Sequence, residues 1–393
     1  MSRIHTAGAR LERATPLSRI LQRPAENAES LESVALILGA LAFVVGALIG
    51  TIVFWERDVP ISGPGSIGEF IAITGGVVSV IAFVLGRVVL RSPSAALQRE
   101  LGQGLAVDGA KLHWFDLGAL AVAHGVIVLL TWIGLSALLE RSFIGAVVFT
   151  LPAIILAGVG LAVSAYVVFL SAARLTPMLL SLVLAVFLVV GALASMLSAS
   201  DPLWWQKNLS ALGIGNDVSA LAFNLTLIIA GAIVTIVARY CTAGLPTSTP
   251  LELRHRNAVR IMLVLIGIFL ACVGIFPVDQ FFAIHNTVAT GMAVVYAVIV
   301  IGLPRFVPSM PRTFVFLGFV YVGVVVVLGV FFAIGYYNLT AVELVAGVLI
   351  FSWIILFLRN SGAMRATGEA AGDLPDATED APTAPRHAAE APA

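Results

Sequence analysis

Charge is what this chain has least of. Of its 393 residues, 22 are Lys or Arg and 22 are Asp or Glu, so 11% are charged and the formal net charge is zero. A soluble globular chain carries about 25% charged residues. The shortage excludes a large water-soluble core, and the balanced charge removes the basic field that would draw nucleic acid. Two cysteines, Cys241 and Cys272, are too few for a disulfide framework, and they are expected near opposite membrane faces. Catalytic signatures are also missing. There is no HExxH, no CxxC and no paired His at metal spacing, so no metal ligands are assigned. There is no GxxxxGK[ST] run, no GxSxG elbow and no arginine ladder within an apolar run. No catalytic residue or cofactor is therefore assigned.

What is present is apolar. Hydrophobic residues make up 60% of the chain, and the mean hydropathy is +1.03. About 20 mostly apolar residues span a bilayer. Ten runs meet that length: 33–55, 67–90, 114–138, 142–171, 176–199, 218–240, 258–276, 283–303, 313–335 and 339–358. The predicted fold class is all-α, a polytopic transmembrane bundle. A very short turn at Glu140–Arg141 is expected between the third and fourth spans, with Pro152 as a kink in the fourth. Residues 1–32 are polar rather than a secretory signal, and they read with 359–393 as disordered tails. Segment 91–112 is the longest predicted inner loop, with an interfacial helix around 95–105 as one reading.

Ten spans put both termini on one side. With that side cytoplasmic, 19 of the 22 basic residues lie inside, leaving only Arg57, Arg141 and Lys207 outside. Basic residues resist translocation, so the asymmetry sets the orientation. Lys111 and Lys207 are the only lysines among many Ala, Gly and Arg, the usage of a high-GC bacterium. A bacterial cytoplasmic membrane is the expected location. Gly39, Gly46, Gly50, Gly75, Gly76, Gly158 and Gly160 mark close helix packing.

Polar groups inside spans are the candidates for function, because hydrocarbon makes them costly unless they pair. Asp116 and His124 of the third span form a candidate proton relay, with His113 beside them. A histidine simply bonded to a neighbouring helix is the plainer reading. On the predicted outer side, Asn208, Asp217, Asn224, Asp279, His285 and Glu343 are candidate ligand-binding residues brought to one depth by different spans. Polar helix ends that only cap and anchor are the alternative.

One stretch carries a resemblance. Trp204, Asn208, Ser210, Leu212 and Gly213 are followed by Phe223-Asn224 and Gly231, then by Gly274–Pro277 and His285. This pattern resembles the bacterial integral-membrane family called domain of unknown function 998, over roughly residues 176–358. Val278 stands where that family usually has an acid, and Asp279 follows. The family is similar in layout to the FRAG–DRAM–Sfk membrane proteins, which are linked to lipid organisation. The resemblance implies a six-span domain (176–358) behind a four-span module (33–175), and membrane lipids as partners. Three functions are consistent with the sequence. The first is a non-enzymatic protein that binds or organises lipid through an outward-facing pocket, with an apolar groove opening sideways beneath Trp204 and Trp205. The second is a secondary transporter of a small solute, proton-coupled through Asp116 and His124. The third is a membrane enzyme using Asp217, Asp279, His285 or Glu343.

Overall fold

The computed structural model describes residues 28–89, 114–245 and 247–372. Ten helices long and apolar enough to cross a membrane run through them. They are α1 (Ala28–Phe54), α2 (Ile67–Val89), α3 (Trp114–Ser142), α4 (Thr150–Ala173) and α5 (Pro177–Leu197). Next come α6 (Val218–Cys241), α7 (Pro250–Ile275), α8 (Phe282–Phe306), α9 (Arg312–Ala333) and α10 (Leu339–Gly372). The chain is an all-α, multi-pass membrane protein. Large apolar side chains such as Ile52, Phe316 and Val326 face outward at 60–82% exposure, which only a lipid surround makes favourable.

The helices fall into two groups. In the first, α4 packs on α1 and on α2, and α2 packs on α3. In the second, α5 to α10 each pack on the next in sequence, and α10 closes back on α5. Helix α3 joins the groups by packing on α5 and α6. It is tied at both ends. Arg141 donates to the Leu197 carbonyl at 2.6 Å, and Asp116 accepts from Tyr240 and Arg239 at the far end. Helix α6 is the most enclosed span, with 61% of its most apolar stretch buried, against 11% for α9. The α6–α7 contact is very close, because Gly231 and Gly267 oppose one another and a Cβ on Gly267 would meet the Gly231 carbonyl at 2.7 Å. The α1–α4 contact uses Gly46 and Gly158 in the same way.

Local chemistry explains the helix starts. Thr176 caps α5 by accepting from the Leu179 N–H, with Pro177 at the first helical position. Asp217 caps α6 through the Ala220 N–H. Thr249 and Glu252 form a reciprocal capping box on α7, so that helix begins at Pro250 rather than near 258.

Four sequence expectations need correction. Helix α3 runs to Ser142 and α4 begins at Thr150, so no two-residue turn joins them. Gly145, at φ +73°, breaks the helix there, and β2 (Val147–Val148) pairs antiparallel with β1 (Val59–Pro60). Pro152 sits in the first turn of α4, where its missing N–H is unneeded, and so is no mid-span kink. Helix α1 starts at Ala28, inside the expected tail, and α10 continues past Arg359 to Gly372. The expected helix around 95–105 and His113 lie outside the described residues. Cys272 is a free, partly buried thiol.

Candidate functional site

The polar residues predicted for the outer side converge, but mainly on a piece of the chain itself. Between α5 and α6 lie two short 3-10 helices, Trp204–Gln206 and Leu209–Gly213, which roof the six-helix group. Glu343 of α10 accepts the Leu209 N–H at 2.6 Å. His285 of α8 is hydrogen-bonded through Nε2 to Ser210 Oγ at 3.0 Å and through Nδ1 to the Phe276 carbonyl at 2.7 Å. Asn224 of α6 donates to the Gly213 carbonyl at 3.0 Å. Ser219 reaches the Leu212 carbonyl, and Asn338 donates to the Trp205 carbonyl at 3.1 Å. Three helices therefore clamp one five-residue turn. A Cβ at Gly213 would come within 2.6 Å of Asn224 Oδ1, so the close approach requires glycine there.

The other two candidates have smaller roles. Asp217 caps α6 and accepts from Ser200 at 2.6 Å. Asp279 is exposed in the α7–α8 turn. Asn208 Oδ1 is buried without a hydrogen-bond partner beside the clamp. Lys207 pairs with Asp201 at 2.9 Å on the exposed surface, and that contact holds the Asp201 carboxyl below the ordinary carboxylate range. None of the three main cavities includes any of the six predicted ligand residues.

Asp116 and His124 face different neighbours. Asp116 is buried and accepts from Tyr240 Oη at 3.0 Å and Arg239 Nη1 at 3.4 Å, both on α6. His124 is buried against α4. Its Nδ1 is 2.8 Å from the Leu120 carbonyl, which makes Nδ1 the donor, so Nε2 accepts from Ser171 Oγ at 2.9 Å. Eight residues of helix put the two side chains ~12 Å apart along α3. No hydrogen bond links them in the structure. They read as two separate helix ties.

The largest of these three cavities lies elsewhere. Consecutive helices α4 and α5 leave their short corner at Arg174–Thr176 and separate, with little packing between them. Helix α3 floors the resulting cleft and the far end of α10 borders it. The cavity is about 960 Å³ and open to the side. Its walls are chiefly aliphatic: Val163 and Val167 on α4, Leu182 and Val186 on α5, and Ile127 on α3. The polar groups within it mostly bond inward. Trp132 Nε1 donates to Ser164 Oγ, Ser164 Oγ donates to the Gly160 carbonyl, and Ser171 is held by His124. Arg174 and Arg359 stand at one end of it, both exposed. At 1.5 Å per residue, Ser164 and Arg174 are ~15 Å apart along α4, about half the thickness of a bilayer core. The groove is therefore about as long as one leaflet's hydrocarbon is deep, and it lies at the end away from the roof.

Two smaller cavities lie apart from it. One of about 520 Å³ lies between the start of α7 and the end of α8, lined by His255, Arg256, Arg305 and Phe306. One of about 320 Å³ lies beside the β1–β2 pair. Among the described residues no cluster of three His, Cys, Asp or Glu could hold a metal ion. Sequence reasoning missed the groove because its walls are ordinary aliphatic residues. The available signal was the tight Arg174–Thr176 corner followed by a capped Pro177, which fixes α5 at an angle to α4. No family model, curated protein or solved structure matches the chain.

Proposed function

We propose that this protein is a non-enzymatic lipid-binding protein of a bacterial cytoplasmic membrane, with both termini in the cytoplasm. The observation that carries this reading is the side-opening groove between α4 and α5, apolar along one leaflet's depth. An acyl chain entering it exchanges bilayer for protein without exposing polar backbone, because α4 and α5 satisfy their own hydrogen bonds. Basic residues support the orientation: Arg87, Arg174, Arg239, Arg305 and Arg359 lie toward the helix ends away from the roof, whereas Arg57, Arg141 and Lys207 lie on the roof side. The resemblance of residues 176–358 to domain of unknown function 998 points the same way and coincides with the closed α5–α10 group.

The site thus differs from the one expected beneath Trp204 and Trp205. The roof residues hold the fold, and the lipid site is at the opposite end. The direct test is native mass spectrometry of the detergent-purified protein. Retained lipid that is lost in Val186→Trp, which fills the groove, supports the reading. A protein that retains no lipid sinks it. A proton-coupled transporter is a second reading, favoured only by the burial of His124 in the groove wall. It requires proton movement that His124→Gln abolishes in proteoliposomes.

A further inference from the structure

If the groove binds lipid, as proposed above, its mouth also discriminates among headgroups. We propose that the mouth of the α4–α5 groove selects an anionic glycerophospholipid, with its phosphate held between Arg174 and Arg359 and one acyl chain lying along α4 toward Ser164.

Three observations lead there. The first is charge. Arg174 follows the end of α4 and Arg359 lies on α10, so the two guanidinium groups approach the same cavity from different helices. Neither has a carboxylate partner among the described residues, whereas the buried carboxylate on α3, Asp116, is already bonded to Tyr240 and Arg239. Among the described residues no Asp or Glu lines the cavity. Two unpaired guanidinium groups with no opposing acid form a site for a phosphodiester, which guanidinium binds in a planar, bidentate way.

The second is backbone. The N-terminus of α5 opens on the same mouth, where Thr176, Met178 and Leu179 line it. Its helix dipole adds partial positive charge toward an anion. A cavity with charged side chains from two other elements makes this more than a helix end.

The third is length. The polar mouth and the aliphatic channel are collinear. From Arg174 the groove runs ~15 Å along α4 before the Trp132–Ser164 contact closes it, the depth of one leaflet's hydrocarbon. A free phosphate-bearing solute would leave the aliphatic walls at Val167, Leu182 and Val186 unused. A lipid without phosphate would leave both arginines unpaired, and in a zwitterionic one the headgroup ammonium offsets the phosphate that they bind.

The test is competitive lipid binding to full-length protein in mixed nanodiscs of phosphatidylglycerol and phosphatidylcholine with identical chains, read by native mass spectrometry of the released complex. An attraction of this kind is worth about fivefold per arginine near the surface. The wild type should favour phosphatidylglycerol, and Arg174→Gln and Arg359→Gln should each lower that preference about fivefold. Arg174→Lys should keep most of it. Equal occupancy by both lipids in the wild type, or a preference untouched in both Gln variants, overturns the headgroup assignment and leaves the groove reading standing. Loss of all bound lipid in Val186→Trp, with the arginines intact, is the separate check on the groove. Preferential retention of a polyisoprenyl phosphate over phosphatidylglycerol would overturn the choice of glycerophospholipid.

Discussion

Removing Glu343 should loosen the roof without unfolding the bundle. Its carboxylate accepts the Leu209 N–H at 2.6 Å across 134 residues of chain. Glu343→Ala leaves that N–H unpaired at a partly buried position, a change that costs about 1–3 kcal/mol. Glu343 is only partly enclosed, so water recovers some of the loss and about 1.5 kcal/mol is expected. The readout is native-state proteolysis. Lys207, with 63% of its side chain exposed, is the only tryptic site in the α5–α6 connection. Where cleavage follows local opening, 1.4 kcal/mol is a factor of ten in rate. Trypsin should therefore cut after Lys207 roughly tenfold faster in Glu343→Ala, and His285→Ala should behave similarly by freeing Ser210 and the Phe276 carbonyl. Glu343→Gln keeps an acceptor and should cost far less. Because all three ties hold one turn, the Glu343→Ala/His285→Ala double variant should fall short of additivity by at least about 0.5 kcal/mol. Wild-type cleavage rates in both single variants, or strict additivity in the double, would refute the clamp.

Other outcomes follow from the packing. Gly231→Leu should abolish recovery of folded protein from membranes, because its side chain would run into the Gly267 carbonyl and the Ala271 backbone of α7; normal yield and a normal melting temperature would contradict this. Asp116→Leu should lower thermal stability by about 1–2 kcal/mol by leaving the Tyr240 hydroxyl unpaired in the α3–α6 seam, with Asp116→Asn milder. The Lys207–Asp201 contact depresses the Asp201 pKa, so its contribution is present above the ordinary carboxylate value near 4 and is lost as pH falls below it. Tryptic access at Lys207, corrected for the enzyme's own pH response, should therefore be flat between about pH 6 and 8.

Much of the fold was legible because bilayer thickness imposes a length on each apolar run. Each of the ten helices overlaps its predicted run, and the α3–α4 junction failed for a local reason. Residues 142–149 are apolar, so hydropathy could not show that Gly145 turns the chain and that Val147 and Val148 pair with Val59 and Pro60. Asn224, His285 and Glu343 all bond the 209–213 turn. Their partners were not visible, because a hydrogen bond to the Leu209 or Gly213 backbone leaves no trace in side-chain composition. The groove was hidden for a different reason. It depends on the angle between α4 and α5 and on where α10 returns, and both are set by packing far apart in sequence. Arg174 and Arg359 read only as cytoplasmic charges until the fold placed them at one mouth.

The most direct test of the lipid groove is photocrosslinking in membranes with a phospholipid carrying a diazirine midway along one acyl chain. The account predicts labelling concentrated on peptides containing Val163, Val167, Leu182 and Val186, and its loss in Val186→Trp. Val326 and Val327 of α9 are exposed to the bilayer but line none of these cavities, and they supply the background. Labelling of α4 and α5 no higher than that of α9, unchanged in Val186→Trp, would contradict it.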